Sequence, residues 1–208
     1  MMFWVILITA LATAIVTSII LKPKEQESPT TIYEIDNKIQ SLSGKKTVLK
    51  NIKTECEGHF GTIDTLLIHE QGIFLIYYTR TSGRKIDNKD KNKWIVSTEN
   101  GLEYIPNYIT QSDYDIIFLT KILNLYKHNF KVIIALGEKE YFSQPVKQIK
   151  SIQVTNKKYL LNILKRMIDE NIVIYKDDKI NNMQQAVTKA SEQVQQKIYD
   201  MGKIYNKT

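Results

Sequence analysis

Residues 61–79 read GTIDTLLIHEQGIFLIYYT, and this stretch decides the fold. The apolar runs 61–69 and 72–79 have the length and the Ile, Tyr and Phe content of β-strands. Glu70-Gln71-Gly72 between them is a compact turn signal. The sequence therefore predicts two consecutive strands joined by a short turn.

Asp64 is the most informative residue of this stretch, because apolar residues flank it on both sides within the first strand. An isolated buried charge is too costly, so a carboxylate at this position must be paired, hydrogen-bonded or bound to a metal. The alternative is an aspartate at a strand end or bulge that caps a neighbouring turn. Both interpretations stay open on this residue alone.

Helical and strand periodicities continue on both sides. The recurrence of apolar residues from Ile32 to Leu42 predicts a helix that Thr30 or Thr31 caps and that Gly44 ends. Two more helices are predicted at residues 111–126 and 157–169, and further strands at residues 47–52, 94–97, 102–105, 131–136 and 149–154. This order predicts an α/β fold with a mixed central sheet flanked by helices.

The composition excludes several classes of protein. A hydrophobic content of 43% with 25% charged residues excludes a disordered chain. Cys56 is the single cysteine of the 208 residues, which excludes an intramolecular disulfide framework and a four-cysteine zinc site. The sequence contains neither a glycine-rich phosphate-binding loop nor a Gly-x-Ser-x-Gly nucleophile elbow.

Residues 2–21 read MFWVILITALATAIVTSIIL, without a charge, Pro or Gly. At about 1.5 Å rise per residue a helix of this length matches a hydrocarbon core of roughly 30 Å. Lys22 and Lys24 follow directly, so positive-inside bias predicts a single-pass protein of the cell membrane with its N-terminus outside and the rest cytoplasmic. The alternative is a cleaved signal peptide, which would need a basic start and a shorter apolar region.

Four segments follow from these patterns. A transmembrane anchor is predicted at residues 1–22, a polar linker at 23–30, a folded domain at 31–178 and an amphipathic helical tail at 179–208. The tail is Gln-rich, with apolar residues at spacings of three and four over residues 180–205. Such a helix packs on its own domain, or it serves a protein partner or self-association.

Short motifs around Asp64 occur in an order that resembles the nuclease-related domain (NERD) family. They are Ile63-Asp64, Gly72-Ile73-Phe74, Ser82-Gly83, Trp94, and Asn107 with Gln111. The resemblance covers roughly residues 31–126. It implies the restriction-endonuclease-like core of the PD-(D/E)XK nucleases.

The same resemblance implies site residues. Asp64 would bind a divalent cation, with Gln111 in the same cleft. Glu34 in the first helix would stand for a further acid of the family, although Tyr33 replaces the glycine expected before it. Mg²⁺ or Mn²⁺ would be a cofactor only if nuclease activity remains.

The strand that ends in Glu-x-Lys in this family reads Tyr77-Tyr78-Thr79. In such nucleases the acids hold a cation that lowers the pKa of a water, and the lysine positions the nucleophile. Tyr77 cannot replace a carboxylate ligand, and Thr79 carries no positive charge. Arg80, next to the lost lysine position, can in principle reach inward, but it is a poor acid–base group because it stays protonated. We therefore expect a catalytically impaired site with Asp64 as a weak metal ligand.

The net charge of the chain is +7, and its basic residues are densest directly after this strand. The basic residues there are Arg80, Arg84, Lys85, Lys89, Lys91 and Lys93. Beside a nuclease-like cleft they predict phosphate contacts of salt-dependent affinity. The alternatives are a solvated lysine-rich surface, or attraction to an anionic membrane leaflet.

These observations together predict a membrane-anchored, NERD-like protein that is impaired in catalysis and binds nucleic acid or an anionic surface. An interaction or scaffold component of a membrane-associated assembly is the alternative. An active metal-dependent nuclease is a third possibility, which would need another acid and another lysine in the cleft.

Overall fold

The structure, a computed structural model, describes residues 31–81, 84–145 and 151–205. Its regular elements, in chain order, are α1 (Ile32–Gln40), β1 (Lys46–Cys56), β2 (His59–His69), β3 (Gly72–Tyr78), β4 (Lys85–Asp87), β5 (Lys93–Thr98), β6 (Gly101–Pro106), α2 (Tyr108–Leu123), β7 (Phe130–Leu136), β8 (Tyr141–Phe142), β9 (Ile152–Asn156), α3 (Leu160–Asp169) and α4 (Asp177–Tyr205). Short 3-10 helices at Lys127–Asn129 and Lys157–Tyr159 precede β7 and α3.

A five-stranded sheet with the order β1-β2-β3-β7-β9 lies at the centre. The first three strands are antiparallel, and β3, β7 and β9 are parallel. All seven residues of β3 are buried, as expected for a central strand covered on both faces. The carboxyl ends of the three parallel strands meet at one edge, which is where open α/β sheets commonly bind ligands.

Two apolar cores flank this sheet. On one face, α1 and α3 bury residues such as Ile39 against β2, β3 and β7, including Phe74. On the other face, the second core contains Leu75 of β3, Trp94 of β5 and Val187 of α4. Both faces of the central sheet are therefore covered.

A second sheet of four strands has the order β6-β5-β4-β8. Trp94 joins it to the rest of the domain, because its fully buried ring makes edge contacts with Phe142 of β8 at 4.8 Å and Tyr108 of α2 at 5.6 Å between centroids. Two of the basic residues that follow β3, Lys85 and Lys93, lie on its strands, and Lys89 and Lys91 lie on the turn between β4 and β5.

The C-terminal helix α4 packs on its own domain. Its residues Ile180, Met183, Val187 and Val194 are buried in the second core, and the described residues form one compact unit. Ser191 Oγ accepts the backbone N–H of residue 53 at 2.8 Å. A protein partner or self-association through residues 180–205 stays a prediction, and the apolar stripe of the helix is already occupied by its own domain.

The predicted mixed α/β sheet with flanking helices is confirmed, with shifts at the ends of elements. β1 runs on to Cys56 and returns into β2 through Glu57 and Gly58, whose φ values are 54° and 81°. The two short strands β4 and β8 were not predicted. The strand predicted at 149–154 is observed at Ile152–Asn156, and residues 146–150 lie outside the described part of the chain.

The membrane-spanning part of the predicted fold class is contradicted. Within the described ranges no helix has both the length and the apolar character needed to cross a membrane. The predicted transmembrane helix, residues 2–21, lies outside those ranges. The fold class is therefore corrected to the mixed α/β sheet with its helices. The predicted single-pass location in the cell membrane, with its N-terminus outside, is wrong on the same finding.

Candidate functional site

Asp64 lies on β2 where the pairing of β2 with β3 ends, one residue beyond the last pair, Thr65 with Ile76. The backbone N–H of Tyr78 donates to Asp64 Oδ2 at 2.8 Å. Arg80 Nη2 donates to Asp64 Oδ1 at 2.8 Å and forms an ion pair with it. Both carboxylate oxygens therefore have partners, as a nearly buried charge requires.

The burial of Asp64 and its bonded partners shift the pKa of its carboxyl in opposite directions. Burial raises its pKa, while the Tyr78 N–H and the Arg80 guanidinium oppose that rise. The side chain of Arg80 is 56% exposed, whereas that of Asp64 is 13% exposed. Arg80 thus covers the carboxylate from the solvent side and does reach inward from the position next to the lost lysine.

Tyr77, at the position of the family's glutamate, is fully buried and belongs to a different hydrogen-bonded group. Its hydroxyl donates to Asp115 Oδ2 of α2 at 2.6 Å. Gln111 Nε2 donates to Asp115 Oδ1 at 2.9 Å, and the Thr54 hydroxyl donates to the same oxygen. Burial raises the pKa of Asp115, and these three donors oppose the rise. Tyr77 therefore donates a hydrogen bond to a buried carboxylate, and it supplies no carboxylate that could bind a metal.

Thr79, at the position of the family's lysine, is also fully buried. Its hydroxyl donates to Glu140, which also accepts the Thr81 hydroxyl and the backbone N–H of Gly137. The backbone oxygen of Thr79 accepts Lys157 Nζ at 2.6 Å. An acid and a lysine from other segments thus lie at the end of β3, each already bonded.

Lys157 is half-buried at the carboxyl end of β9. Burial and the positive charge of Arg80 lower its pKa, while the charges of Glu140 and Asp64 raise it. Each of these three side chains therefore lies within electrostatic range of Lys157. The edge where the parallel strands end is therefore a cluster of mixed charge with Arg80 on its exposed side.

Glu34 is not brought to this cluster. Its carboxylate accepts the backbone N–H of Thr31 at 3.0 Å, and the Thr31 hydroxyl accepts the Glu34 N–H at 3.2 Å, so the pair forms a capping box at the start of α1. The buried acidic residue of α1 is Asp36, which is 6% exposed. Asp36 accepts Lys50 Nζ and, at 3.3 Å, the Thr65 hydroxyl. The structure places Glu34 in this capping box, and a role for it in the site stays a prediction.

Gln111 and Asp64 do line one open pocket of about 280 Å³, together with Lys53 and Tyr108. Gly61 lets Gln111 lie flat against β2, because a Cβ at position 61 would stand 1.6 Å from Gln111 Nε2. The predicted proximity of Asp64 and Gln111 is therefore observed, although the Gln111 amide bonds to Asp115 instead of Asp64.

The other predicted basic residues lie apart from this pocket. All five are exposed: Arg84 directly before β4, Lys85 on β4, Lys89 and Lys91 on the turn between β4 and β5, and Lys93 on β5. Across the described ranges none of these five forms an ion pair with a carboxylate. The motif residues Ser82 and Gly83 lie outside the described residues.

The donor set does not fit a divalent cation. Mg²⁺ and Mn²⁺ favour several oxygen ligands with carboxylates among them. Asp64 already binds Arg80 and the N–H of Tyr78. The hydroxyl of Tyr77 bonds to Asp115, and that of Thr79 bonds to Glu140. Within the described part of the chain, no group of three His, Cys, Asp or Glu side chains is placed to hold a metal.

Four residues of the site were missed from the sequence: Asp36, Asp115, Glu140 and Lys157. Asp115 had a signal, because it follows Gln111 by four residues and precedes Leu119 by four, which places an acid on the face of the helix that carries the predicted site residue. Glu140 and Lys157 had none, since both follow strands that approach β3 only in the folded sheet.

Comparison with known proteins agrees with the resemblance seen in the sequence. The family model described as the nuclease-related domain, NERD, matches residues 30–137. This range contains α1, the first three strands, the second sheet up to β6, α2 and β7. No curated protein and no solved structure matches the chain significantly.

Proposed function

The chain belongs to the nuclease-related domain family, and on that premise we propose that it binds nucleic acid through phosphate contacts and is impaired in cleaving it. The observation that carries the proposal is the ion pair of Arg80 with Asp64 at 2.8 Å. A nuclease of this type needs that carboxylate free for a cation, whereas here a fixed positive charge occupies it.

The impairment follows from electrostatics. Because Arg80 stays protonated at all physiological pH values, it cannot leave Asp64 by losing a proton. A cation approaching Asp64 would have to displace the guanidinium and would find no second carboxylate at position 77. Tyr77 remains fully buried against Asp115, so its oxygen is not available as a ligand.

The binding part of the proposal is supported by the exposed cations on the turn between β4 and β5. Lys89 and Lys91 are exposed there, and Asp90 between them accepts the backbone N–H groups of Asn92 and Lys93 at 2.7 and 3.2 Å. The Asp90 carboxylate therefore bonds to the backbone of the turn and not to the two lysines. Lysines without a carboxylate partner can neutralise phosphates. The counterions condensed on the nucleic acid are then released, which favours association.

One observation favours a second candidate, a residual nuclease. Lys157 and Glu140 reach the end of β3 from other segments, beside Asp64. They could replace the lost lysine and glutamate only if Glu140 left its three hydrogen-bond donors. We therefore rank this candidate below binding without cleavage.

The cleavage test uses the full-length chain with supercoiled plasmid and either Mg²⁺ or Mn²⁺. We expect no metal-dependent nicking beyond that of the Asp64→Ala variant purified in parallel. Nicking by the unmodified chain that is lost in both Asp64→Ala and Lys157→Met would contradict the impairment and establish the second candidate.

The binding test measures fluorescence anisotropy of a short labelled duplex over a series of salt concentrations. The variant with Lys89→Gln and Lys91→Gln should lower the slope of log K against log salt by about two, one for each phosphate contact removed. Its matched control carries Lys179→Gln and Lys189→Gln on α4, two exposed lysines changed in the same way. Equal effects of both variants, or no duplex binding at low salt, would refute the phosphate contacts at this turn.

A further inference from the structure

The outward face of the second sheet carries large exposed side chains that the proposed phosphate contacts leave unexplained. Along β5, Trp94 and Val96 are buried towards the core, whereas Lys93 and Ser97 are exposed on the opposite face. Ile95 lies between them on that face and is partly buried. The alternation fixes which residues of the neighbouring strands share the outward face.

Aromatic and apolar residues of β6 and β8 lie on this same face. Tyr104 is paired with Ile95, and Leu102 is paired with Ser97. They are 58% and 64% exposed. Tyr141 of β8 is 55% exposed, and it is paired with Lys85 of β4. Two tyrosine rings therefore stand on the face, one on each edge strand of the sheet.

Positive charge accompanies these rings. Lys93 Nζ lies 4.5 Å from the centroid of Tyr104, and Lys85 is next to Tyr141 across the ladder. The carboxylate on the outward face of these strands is Asp87, and it accepts the backbone N–H of Lys89 at 3.2 Å. The face thus combines stacking surfaces with cations that no carboxylate of the described residues pairs.

We propose that this face binds single-stranded nucleic acid, with bases stacked on Tyr104 and Tyr141 and phosphates bound by Lys85 and Lys93. The inference rests on the proposed function and specifies the kind of nucleic acid. Aromatic rings with neighbouring cations are the general means by which single strands are held without sequence preference. A four-stranded sheet with exposed aromatic residues also stacks two or three bases in RNA-recognition modules, an analogy of surface and not of fold.

The geometry favours a single strand over a duplex. Bases of a duplex are already stacked on one another and expose only their edges, so they cannot cover a tyrosine on a flat sheet. Tyr104 and Tyr141 are separated by three strand spacings and by two residues along the strands, roughly 16 Å at about 4.8 Å per strand and about 3.3 Å per residue. A single strand lying across β6, β5, β4 and β8 would reach both rings, with Lys93 beside Tyr104 and Lys85 beside Tyr141.

The test compares a labelled oligothymidylate with its duplex, using anisotropy with the full-length chain. The double variant Tyr104→Ala, Tyr141→Ala should lose roughly 5-fold to 150-fold in single-strand affinity for each stacked base. The double variant Tyr104→Phe, Tyr141→Phe keeps both rings and should bind as the unmodified chain does. Tyr33→Ala on α1, a tyrosine that is 74% exposed, is the matched control and should have no effect.

Several results would overturn the inference. Unchanged single-strand affinity in the alanine variant would do so, as would an equal loss in the phenylalanine variant. The face would belong to a second copy of the chain if two results came together. The unmodified chain would sediment as a dimer that the alanine substitutions dissociate, and it would not bind the single strand.

The duplex measurements keep this inference separate from the proposed function. If the duplex binds through Lys89 and Lys91 but the single strand does not bind, the inference fails and the proposed function stands. If neither the duplex nor the single strand binds, the proposed function fails as well.

Discussion

The hydrogen bond from Tyr77 to Asp115 provides the sharpest test of how this site is built. Tyr77→Phe removes only the hydroxyl and leaves the ring in the core. Asp115, which is fully buried, then keeps the donors Thr54 and Gln111 but loses the Tyr77 hydroxyl at 2.6 Å. The change therefore isolates one hydrogen bond to one buried carboxylate.

Its magnitude follows from the charge of the acceptor. A hydrogen bond to a charged group contributes about 1.5–3 kcal/mol, against about 0.5–1.5 kcal/mol for a neutral pair. At neutral pH we therefore expect Tyr77→Phe to lower the free energy of unfolding by about 1.5–3 kcal/mol. For a domain of this size each kcal/mol corresponds to about 2–4 °C, so Tm should fall by roughly 3–12 °C.

The loss should depend on pH, because the bond favours the ionised carboxylate. Burial already raises the pKa of Asp115 above its value in the unfolded chain, and the Tyr77 hydroxyl opposes that rise. Without the hydroxyl the pKa of the folded variant lies higher still. As pH rises from below the unfolded pKa, the variant therefore loses stability over a wider pH range than the unmodified chain does. The difference between them should be small in acid and largest above the pKa of Asp115 in the folded variant.

The assay is urea denaturation followed by circular dichroism between pH 4 and pH 8. Tyr78→Phe is the matched control, because the Tyr78 hydroxyl is 3.4 Å from Asp36 Oδ1 and makes only a weak bond. It should cost less than about 1 kcal/mol. A loss below about 0.5 kcal/mol in Tyr77→Phe at pH 8, or the same loss at every pH, would refute a bond to an ionised Asp115.

Three further substitutions test other parts of the domain, each by thermal or urea denaturation. Asn107→Ala removes the side chain that accepts the N–H groups of residues 109 and 110 at the start of α2, and it should cost about 0.5–2 kcal/mol, whereas Asn107→Ser should restore most of the loss. Gly61→Ala places a methyl group on Gln111 and should cost about 1–3 kcal/mol, and a neutral result would mean that Gln111 moves freely. Glu34→Gln keeps the capping box with Thr31 and should leave both stability and duplex binding unchanged, so that weakened binding would return Glu34 to the site.

The sequence predicts those parts of the fold that repeat a local period. β2 and β3 were recognisable because each is an apolar run bounded by a turn, and α1 because its apolar residues recur at helical spacing. β4 and β8 have three and two residues, too few to display a period. They pair through Lys85 and Tyr141, which are far apart along the chain, so the second sheet depends on tertiary contacts.

The same distinction holds for the site. The contact of Asp64 with Arg80 was accessible from sequence, because Arg80 follows β3 and β3 is the neighbour of β2. The partners of Tyr77 and Thr79 were not accessible in this way. Asp115 lies on α2, which packs on one face of the sheet, and Glu140 follows β7, so neither is close to its partner along the chain. A residue replaced in a family motif is readily recognised, whereas its new hydrogen-bond partner is visible only in the folded chain.

Tyr77 and Thr79, which replace the family's glutamate and lysine, both bond to residues from other segments. The site therefore differs from a nuclease site by more than the loss of two side chains. A glutamate at position 77 would direct a second carboxylate at Asp115 in the core, where two like charges cannot both stay ionised. The tyrosine instead donates to that acid. At position 79, the threonine hydroxyl and backbone oxygen bind Glu140 and Lys157, so a lysine there would meet a cation already in place. The end of β3 is thus an arrangement in which Tyr77, Thr79, Glu140 and Lys157 are hydrogen-bonded and Arg80, paired with Asp64, is the exposed charge.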